Sequence, residues 1–165
     1  MMDAQGGLKC VKSKGYLDYT PEQVVEYLSR SDAPKQYDEM FDSGGVVQEL
    51  SMNVKFAYTC QKGQWPVQGR DYCRLGITRT LPDGKIVMSG FSHEHPDYPP
   101  KSKYTRGEII IGGWIFIPEG KGKTQVLSIN QVDPKGSIPK AIVNKAVKKR
   151  GFVVMKLSEA MAKYY

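Results

Sequence analysis

Apolar positions change their spacing several times along this chain, and each change marks the expected boundary of an element. Residues 8–19 alternate loosely and include β-branched and aromatic side chains, which predicts a first strand. The segment Thr20-Pro21-Glu22-Gln23 then offers an N-cap, a proline at the first helical position and a capping-box glutamine. A short helix is therefore predicted to begin there. A second short helix is predicted to carry Tyr37, Met40 and Phe41 and to end at Gly44-Gly45.

From Val46 onward, apolar and polar residues alternate and no longer follow a helical period. With the turn residues between them, they predict three antiparallel hairpins: 46–50 with 54–60, 72–80 with 85–92, and 103–118 with 124–132. Gly112-Gly113 predicts a bulge in the longest of these strands. From Ser137 to Tyr165 the period is helical again, which predicts one long helix with a kink at Gly151.

The order of these elements predicts the fold class. Helices that stand apart from a run of antiparallel strands indicate an α+β fold with a helix across one face of the sheet. We expect a helix-grip arrangement, in which a curved antiparallel sheet of about seven strands grips the long C-terminal helix and two short helices follow the first strand. No linker or repeat divides the sequence, so residues 1–165 are expected to form a single domain. A strongly curved sheet need not fill its concave side, and the remaining space can hold a ligand.

The chain carries a net charge of +7, and many of its basic residues lie in the predicted C-terminal helix. They are interleaved there with apolar residues, a pattern that suits an anionic membrane surface. Nucleic acid is a weaker candidate, because the basic residues are not interleaved with aromatic side chains on strands. The chain starts without a signal-peptide pattern and no apolar run approaches about 18 residues, so we expect a cytoplasmic protein that contacts membranes transiently.

Residues that could support catalysis or bind a metal are sparse. His93 and His95 are the two histidines of the chain, and no further cysteine or histidine cluster near them in sequence completes a metal site. No serine stands in a nucleophile elbow, which makes a catalytic triad improbable. The sequence therefore predicts no catalytic residue, no metal and no cofactor.

Three motifs resemble those of the START family of lipid-transfer domains. Trp65-Pro66-Val67-Gln68-Gly69-Arg70-Asp71-Tyr72 resembles the family's WPxxxRD(Y/F) segment, and Tyr104-Thr105-Arg106-Gly107-Glu108 resembles its RGE strand. Residues 131–144, QVDPKGSIPKAIVN, resemble the DPKGxIPxxLVN junction that leads into the family's last helix. The three motifs occur in the family's order, and the resemblance covers residues 8–163.

The resemblance implies a domain that binds a lipid or sterol-like molecule in an internal cavity and transfers or senses it at membranes. Full-length family members carry a further helix and two strands before the segment that resembles residues 8–19, so this chain is expected to be N-terminally shortened. Its first strand would then have an uncovered edge, which predicts a monomer or a weak homodimer through that edge. The same fold hosts cyclases and condensing enzymes, so an enzyme acting on a small hydrophobic substrate is the alternative.

Two ligand-binding features of the family are missing here. In phospholipid-carrying members, an R-x-x-W-D segment supplies an arginine to the phosphate. Tyr37-Asp38 fits its W-D position, but Pro34 replaces the arginine. In sterol-carrying members, a buried arginine lies six residues after the arginine of the RD pair, and Gly76 stands at that position in this chain. Arg74 would share the face of Gly76 and is the predicted substitute.

The candidate ligand-binding residues lie on the inward stripe of the last helix and on the strands that face it. They are Arg74, Arg106, Trp114, Asn130, Val143, Val147, Val154, Leu157 and Met161. An ordinary filled core would show the same apolar stripe, so both interpretations stay open. Arg106 needs a partner because an unpaired buried charge is costly, and a ligand group is one candidate. Arg70 and Asp71 are expected to form a structural pair.

Membrane contact and gating are predicted at a loop and on the basic face of the last helix. The candidate residues are Trp65, Lys145, Lys148, Lys149 and Arg150. Trp65 either inserts at a bilayer interface or pins its loop to the core, and pinning is the favoured interpretation. The long helix is expected to hinge around residues 133–139 and to move against the loop 60–69, which would open the cavity.

Overall fold

One curved sheet dominates the structure, a computed structural model that describes residues 2–3 and 9–165. Within these residues the strands are β1 (Met2–Asp3), β2 (Lys9–Leu17), β3 (Phe41–Ser51), β4 (Val54–Gln61), β5 (Arg70–Thr80), β6 (Ile86–Ser92), β7 (Thr105–Arg106), β8 (Glu108–Gly120) and β9 (Lys123–Asp133). Their order is β1-β2-β9-β8-β6-β5-β4-β3, and each neighbouring pair is antiparallel. The short β7 runs parallel to the start of β5.

Four helices accompany the sheet in the described part of the chain: α1 (Pro21–Leu28), α2 (Ala33–Tyr37), α3 (Lys140–Gly151) and α4 (Val153–Met161). The predicted capping box starts α1. The backbone N–H of Gln23 donates to Thr20 Oγ1 at 3.3 Å, and the Thr20 N–H donates to Gln23 Oε1 at 2.9 Å. These reciprocal bonds satisfy two backbone donors and fix the helix start close behind β2.

The predicted helix-grip fold of class α+β is confirmed, because the C-terminal helices pack on a sheet of seven long strands, at β2 and β9, and two short helices follow the first long strand. The second short helix ends earlier than predicted, at Tyr37, and Phe41 already begins β3. Gly44 lies inside β3 with φ 116° and does not end a helix. A Cβ at Gly44 would overlap the carbonyl oxygen of Tyr58 on β4, so the close approach of two strands explains this glycine.

The bulge predicted at Gly112-Gly113 lies elsewhere. The register between β8 and β9 shifts between Ile109 and Ile111, whereas Gly112 and Gly113 pair regularly with β9. Gly113 serves a close approach instead, since a Cβ there would lie 2.7 Å from the carbonyl oxygen of Met88 on β6. Both a bulge and a close approach favour glycine, so the sequence could not distinguish them.

The predicted long C-terminal helix is divided in two. The kink expected at Gly151 is a complete break, with Phe152 between α3 and α4. The Ser13 hydroxyl of β2 lies within hydrogen-bond distance of two α3 carbonyl oxygens, 3.1 Å from that of Arg150 and 2.9 Å from that of Gly151. This contact satisfies backbone groups that the end of a helix leaves without partners. The helix also begins later than Ser137, at Lys140.

The main hydrophobic core lies on the face of the sheet that carries the helices, called the inner face below. Its central members are Leu17, Val24, Tyr27, Phe116, Val126, Leu157 and Met161. Gly15 of β2 lets α4 approach the sheet closely, because a Cβ there would lie 2.7 Å from Val154 Cγ1. The sheet is therefore packed tightly beneath α4.

A smaller apolar cluster lies on the opposite, outer face. Its buried members are Phe56, Tyr58, Cys60 and Cys73, and it is covered by Tyr98 and Tyr104 from the segment between β6 and β8. His95 belongs to this cover: its ring lies edge-on against Phe56, and its Nε2 lies 2.8 Å from Gln48 Oε1.

The edge of β2 that does not pair with β9 is partly covered by β1. Met2 and Asp3 of β1 pair with Cys10 and Lys9, at the start of β2. From Val11 to Leu17, among the residues that the structure describes, β2 has only β9 as a strand partner. Homodimer formation through this edge remains a prediction.

Candidate ligand-binding cavity

A cavity of about 580 Å³ lies between α3, strands β9 and β5, and the segment 61–68. Val143 and Val147 of α3 line it, and so does Asn130 of β9, so the fold brings three of the predicted ligand-binding residues together. The volume lies within the range of roughly 300–1,000 Å³ found for small-molecule sites. Half of the remaining lining residues are apolar, with Val11, Val67, Val132, Ile138, Ile142 and Ala146 among them, and the other half are polar or charged.

A second cavity of about 240 Å³ adjoins the first at the break between α3 and α4. Tyr37 and Asp38 line it from the end of α2, and Phe152 and Val153 line it from the break. The two cavities share five lining residues, which are Met40, Gln61, Ala146, Lys149 and Arg150. Arg150 therefore stands where the two spaces meet.

Arg74 lies on the inner face of β5, opposite Ala57 of β4 and Ser92 of β6. It shares this face with Gly76, as strand alternation predicts, and with Tyr72, which lines the larger cavity. Its side chain is exposed and lines neither of the two cavities, so its predicted contact with a ligand stays a prediction.

Tyr37 and Trp114 connect the cavity region to the filled core. The Tyr37 ring packs edge-on against Trp114 with 6.4 Å between the ring centroids, and Trp114 is stacked on Phe116 at 6.2 Å. Burial raises the pKa of Tyr37 to about 12, so its hydroxyl is neutral at physiological pH. Asn130 uses its side-chain amide to donate to Ser128 Oγ at 3.0 Å. This part of the inner face is therefore polar as well as aromatic.

Arg150, predicted on the basic face of the helix, is half-buried. It lines both cavities, and its Nη1 lies 3.5 Å from Asp38 Oδ2. The reason is its position in the apolar stripe of the helix, since that stripe faces the sheet and carries Arg150 inward with it. Its side chain is 33% exposed, so its predicted role in membrane contact stays a prediction.

Val154, Leu157 and Met161 were predicted to line the cavity but belong to the filled core. Their exposed fractions are 5%, 0% and 0%, and neither cavity includes them. Val143 and Val147, before the break after Gly151, line the larger cavity, whereas these three residues after the break pack in the core. The sequence pattern is continuous across the break and could not reveal this division.

Arg106 was also predicted to contact the ligand, but it lies on the outer face. Its guanidinium donates two hydrogen bonds to the buried carboxylate of Asp71, from Nε to Oδ1 at 3.1 Å and from Nη2 to Oδ2 at 2.9 Å. Tyr58 also donates its hydroxyl to Asp71, at 2.9 Å, and Arg106 donates to the carbonyl oxygen of Tyr98 at 3.0 Å. The partner of Arg106 is thus a carboxylate of the protein, and Asp71 does not pair with Arg70.

Arg70 ties the junction before α3 to the rest of the molecule. Its Nε donates to the carbonyl oxygen of Pro134 at 3.0 Å, and its Nη2 donates to that of Lys135 at 2.9 Å. Its Nη1 donates to the carbonyl oxygen of Gln68. Lys135 also forms an ion pair with Glu108 at 2.7 Å. The segment predicted to be a hinge is therefore held by hydrogen bonds to Arg70 of β5 and by an ion pair to Glu108 of β8.

Trp65 is 92% exposed, so the interpretation that it pins its loop to the core is wrong. Lys145 and Lys148 are exposed on α3, and Lys145 borders the larger cavity. Lys149 instead forms an ion pair with Glu39 at 2.7 Å.

None of the helices in the described residues is both long enough and apolar enough to span a bilayer.

Several cavity residues were missed by the sequence analysis. Ile138 and Ile142 continue the apolar pattern of Val143 and Val147, and the helical period could have identified them. Met40 and Gln61 carry no such signal, because they reach the cavity only through the pairing of distant segments.

The family model of the START domain matches residues 3–165. START domain-containing protein 10 from Mus musculus is 29% identical over 129 residues, which cover 78% of this chain and 44% of the relative. StAR-related lipid transfer protein 5 from Bos taurus is 28% identical over 139 residues, which cover 81% of this chain and 65% of the relative. This chain therefore spans less than two thirds of the length of either relative.

Solved structures show the same architecture. The crystal structure of human STARD10 superposes with a TM-score of 0.86 at 25% identity and covers 99% of this chain and 66% of that chain. Human StAR-related lipid transfer protein 5 superposes with a TM-score of 0.82 at 21% identity and covers 92% of this chain and 74% of that chain. At 21% identity the second similarity shows the fold alone.

Proposed function

We propose, from the premise that this chain belongs to the START domain family, that it encloses one lipid-like molecule between α3 and the sheet and exchanges it with membranes. The observation that carries the proposal is the cavity of about 580 Å³ beneath α3. The similarity to a protein named as a lipid transfer protein supports it. The similarity to these relatives favours a lipid-binding protein over the alternative function, an enzyme that acts on a small hydrophobic substrate.

The energetics of lipid transfer favour exchange at a membrane. Each methylene removed from water contributes about 0.8 kcal/mol, so a chain of about sixteen carbons contributes roughly 13 kcal/mol. Release of such a chain into water is therefore very slow. Exchange with a bilayer is almost neutral by comparison, because the methylenes leave one apolar medium for another. We propose that loading takes place at the cytoplasmic surface of a membrane.

The exposed residues next to the cavity support a docking surface. Trp65 has the amphipathic ring that is enriched at bilayer interfaces, and Lys145 and Lys148 carry positive charge on the adjacent helix. Near an anionic leaflet each such lysine contributes about 1 kcal/mol. The proposed docking surface is therefore formed by Trp65, Lys145 and Lys148.

Replacing Val147 with tryptophan tests the cavity directly. The larger side chain should fill part of the space and reduce the amount of lipid that co-purifies with the protein, as measured by native mass spectrometry. Val46→Trp, the same substitution on the exposed face of the edge strand β3, is the matched control and should leave lipid loading unchanged. Equal lipid loading in both variants would contradict the proposal. Severe unfolding of Val147→Trp without a ligand effect would indicate a filled core.

A further inference from the structure

An apolar surface lies open on the outer face of the sheet, next to the outer cluster. It is formed by β5, β6, β8 and β9, and we call it the outer patch: Ile77, Phe91, Ile111, Ile115, Leu127 and Ile129. Phe91 lies opposite Leu75, which packs against the outer cluster, so Phe91 shares that face. Ile77, Phe91 and Ile111 are 44%, 50% and 46% exposed, and the other three are half-buried. Apolar side chains on this part of the sheet are therefore in contact with water.

The strands of the outer patch are apolar on both of their faces. On β8 and β9, Phe116 and Val126 belong to the main core of the inner face, whereas Ile115 and Leu127 alternate with them and lie opposite each other on the outer face. An antiparallel sheet with one face in water usually carries polar residues on that face. Strands that are apolar on both faces are typical of a sheet that is covered on both sides, and a helix is a common cover. The outer patch is therefore a candidate interaction surface.

Basic residues border the outer patch along its length. On β2, Lys12 and Lys14 lie directly opposite the two patch residues of β9. On β5, Arg79 stands two residues after Ile77 and shares its face. All three basic residues are exposed, and none of them forms an ion pair among the described residues. Their charges are therefore available to carboxylates of a partner.

The acidic residues of β8 and β9 lie at the strand ends. Glu119 is close to the end of β8, where it accepts a hydrogen bond from Gln125 at 3.2 Å. At the opposite end of the two strands, Lys135 lies between Glu108 and Asp133, at 2.7 Å and 2.8 Å. The long borders of the patch thus stay basic. A surface with this charge favours a partner that carries acidic residues beside an apolar stripe.

A helix fits the outer patch better than a second copy of the chain or a bilayer does. The helices of this chain lie on the concave side of the sheet, so the outer face is convex, and two convex faces touch over a small area. Such a pair would also bring two basic borders into one interface. Insertion into a bilayer needs side chains that project, as Trp65 does, whereas the patch residues are at most half exposed. A single helix can lay its apolar stripe along the strands.

We infer that the outer patch binds an amphipathic helix of a partner protein, with the apolar stripe of the helix on the patch and its acidic residues beside Lys12 and Lys14. The inference goes beyond the proposed function, because the patch lies on the face of the sheet opposite the cavity. Partner binding and lipid binding therefore use separate surfaces. A partner held at the outer face leaves the cavity side of the molecule accessible to a membrane.

Designed peptides test the chemistry of the partner. The probe is a labelled helical peptide of about 18 residues with leucine at positions i, i+3, i+4 and i+7 and glutamate beside them. One control peptide has lysine in place of glutamate, and another has the composition of the probe in an order without the stripe. In fluorescence anisotropy the probe should bind about tenfold more tightly than either control. Its binding should weaken at high salt.

Variants of the protein test the location. Phe91→Gln combined with Ile111→Gln should weaken binding of the probe about tenfold. The matched control combines Val46→Gln with Leu50→Gln, two apolar residues of the edge strand β3 that are similarly exposed. Lys12→Glu combined with Lys14→Glu should make the lysine peptide the tighter ligand. Amide chemical shifts of the wild-type protein, recorded with and without the probe, should change on β5, β6, β8 and β9 and need no variant.

Several results would overturn the inference. Equal binding of the three peptides would remove the chemistry, and equal losses in the patch variant and its β3 control would remove the location. Loss of vesicle binding in the patch variant, with binding of the probe unchanged, would identify a membrane surface instead. A dimer of the wild-type protein in sedimentation that the patch variant abolishes would identify a second copy. Lipid loading should be the same in all these variants, so failure of the inference leaves the proposed function intact.

Discussion

Neighbouring charged residues on β5 find different partners because successive side chains of a strand point to opposite faces. Arg70 holds the backbone before α3, whereas Asp71 accepts two bonds from Arg106 beneath the outer cluster. The adjacent pair in the sequence is therefore not an ion pair in space. Each charge contributes to the structure through residues that are distant in the chain.

Replacing Arg106 with alanine should strongly destabilise the protein. Asp71 is completely buried, and it would lose the charge that compensates it. Breaking a buried pair from one side costs about 3–5 kcal/mol, which urea unfolding can measure. Arg79→Ala removes an exposed arginine and should change the free energy of unfolding by less than about 0.5 kcal/mol. If Arg106→Ala reduced lipid affinity while the protein kept its stability, the outer-face role would be contradicted.

Tyr37 makes the stability of the folded protein fall at high pH. Its pKa is raised to about 12 in the folded protein, above the ordinary value of 10.0, so its contribution to stability is complete below pH 10. As the pH rises from 10 to 12, the unfolded chain releases the proton first, and the folded state loses up to about 3 kcal/mol. Tyr37→Phe cannot titrate and should lose less stability between about pH 9 and pH 11.5. Parallel losses in urea unfolding of both proteins would refute this prediction.

At the scale of elements, the break after Gly151 divides the C-terminal helical segment into two parts with different environments. α4 packs over the core, and α3 covers the cavities. Ser13 holds the end of α3 from β2, and Arg70 holds the segment before its start. α3 is therefore attached at both ends with a hollow beneath it, so a movement of α3 that opens the cavity would have to break one of these attachments.

A disulfide engineered between the loop 61–69 and α3 should stop lipid exchange. Both segments line the larger cavity, so a covalent link would prevent their separation. The free energy of unfolding should not fall, because the link joins segments that already lie on one cavity. Lipid transfer between vesicles is measured before and after reduction of the same protein, so the reduced form is its own control. Normal transfer in the oxidised form would mean that the cavity opens elsewhere.

At the scale of the whole molecule, the two faces of the sheet carry different structural features. The outer face carries the Asp71–Arg106 pair under an aromatic cover, and the inner face carries both the core and the hollow. The exposed lysines of α3 lie beside the hollow and not on the outer face. Attraction to an anionic surface would therefore bring the cavity side of the molecule to the lipid.

Charge reversal at Lys148 should weaken binding to vesicles of phosphatidylcholine and phosphatidylserine. Lys148 is exposed and has no ion pair among the described residues, so Lys148→Glu replaces an attraction with a repulsion. A loss of roughly tenfold in vesicle affinity is expected in co-sedimentation, and it should diminish at high salt. Lys12→Glu, on the outer side of β2, is the control and should have a smaller effect. Equal losses in both variants would indicate a response to net charge alone.

The sequence by itself determined the elements and their order, because the alternation of strands, the helical period and the capping box at Thr20 depend on residues that are close together in the chain. Only the tertiary structure decided which parts of the apolar stripe line a hollow, and that Arg74 and Arg106 lie on opposite faces of the sheet. The outcome depends on the break at Gly151 and on pairs of residues that are far apart in sequence. A local pattern reports which side chains avoid water, but not which of them meet another side chain and which border an open space.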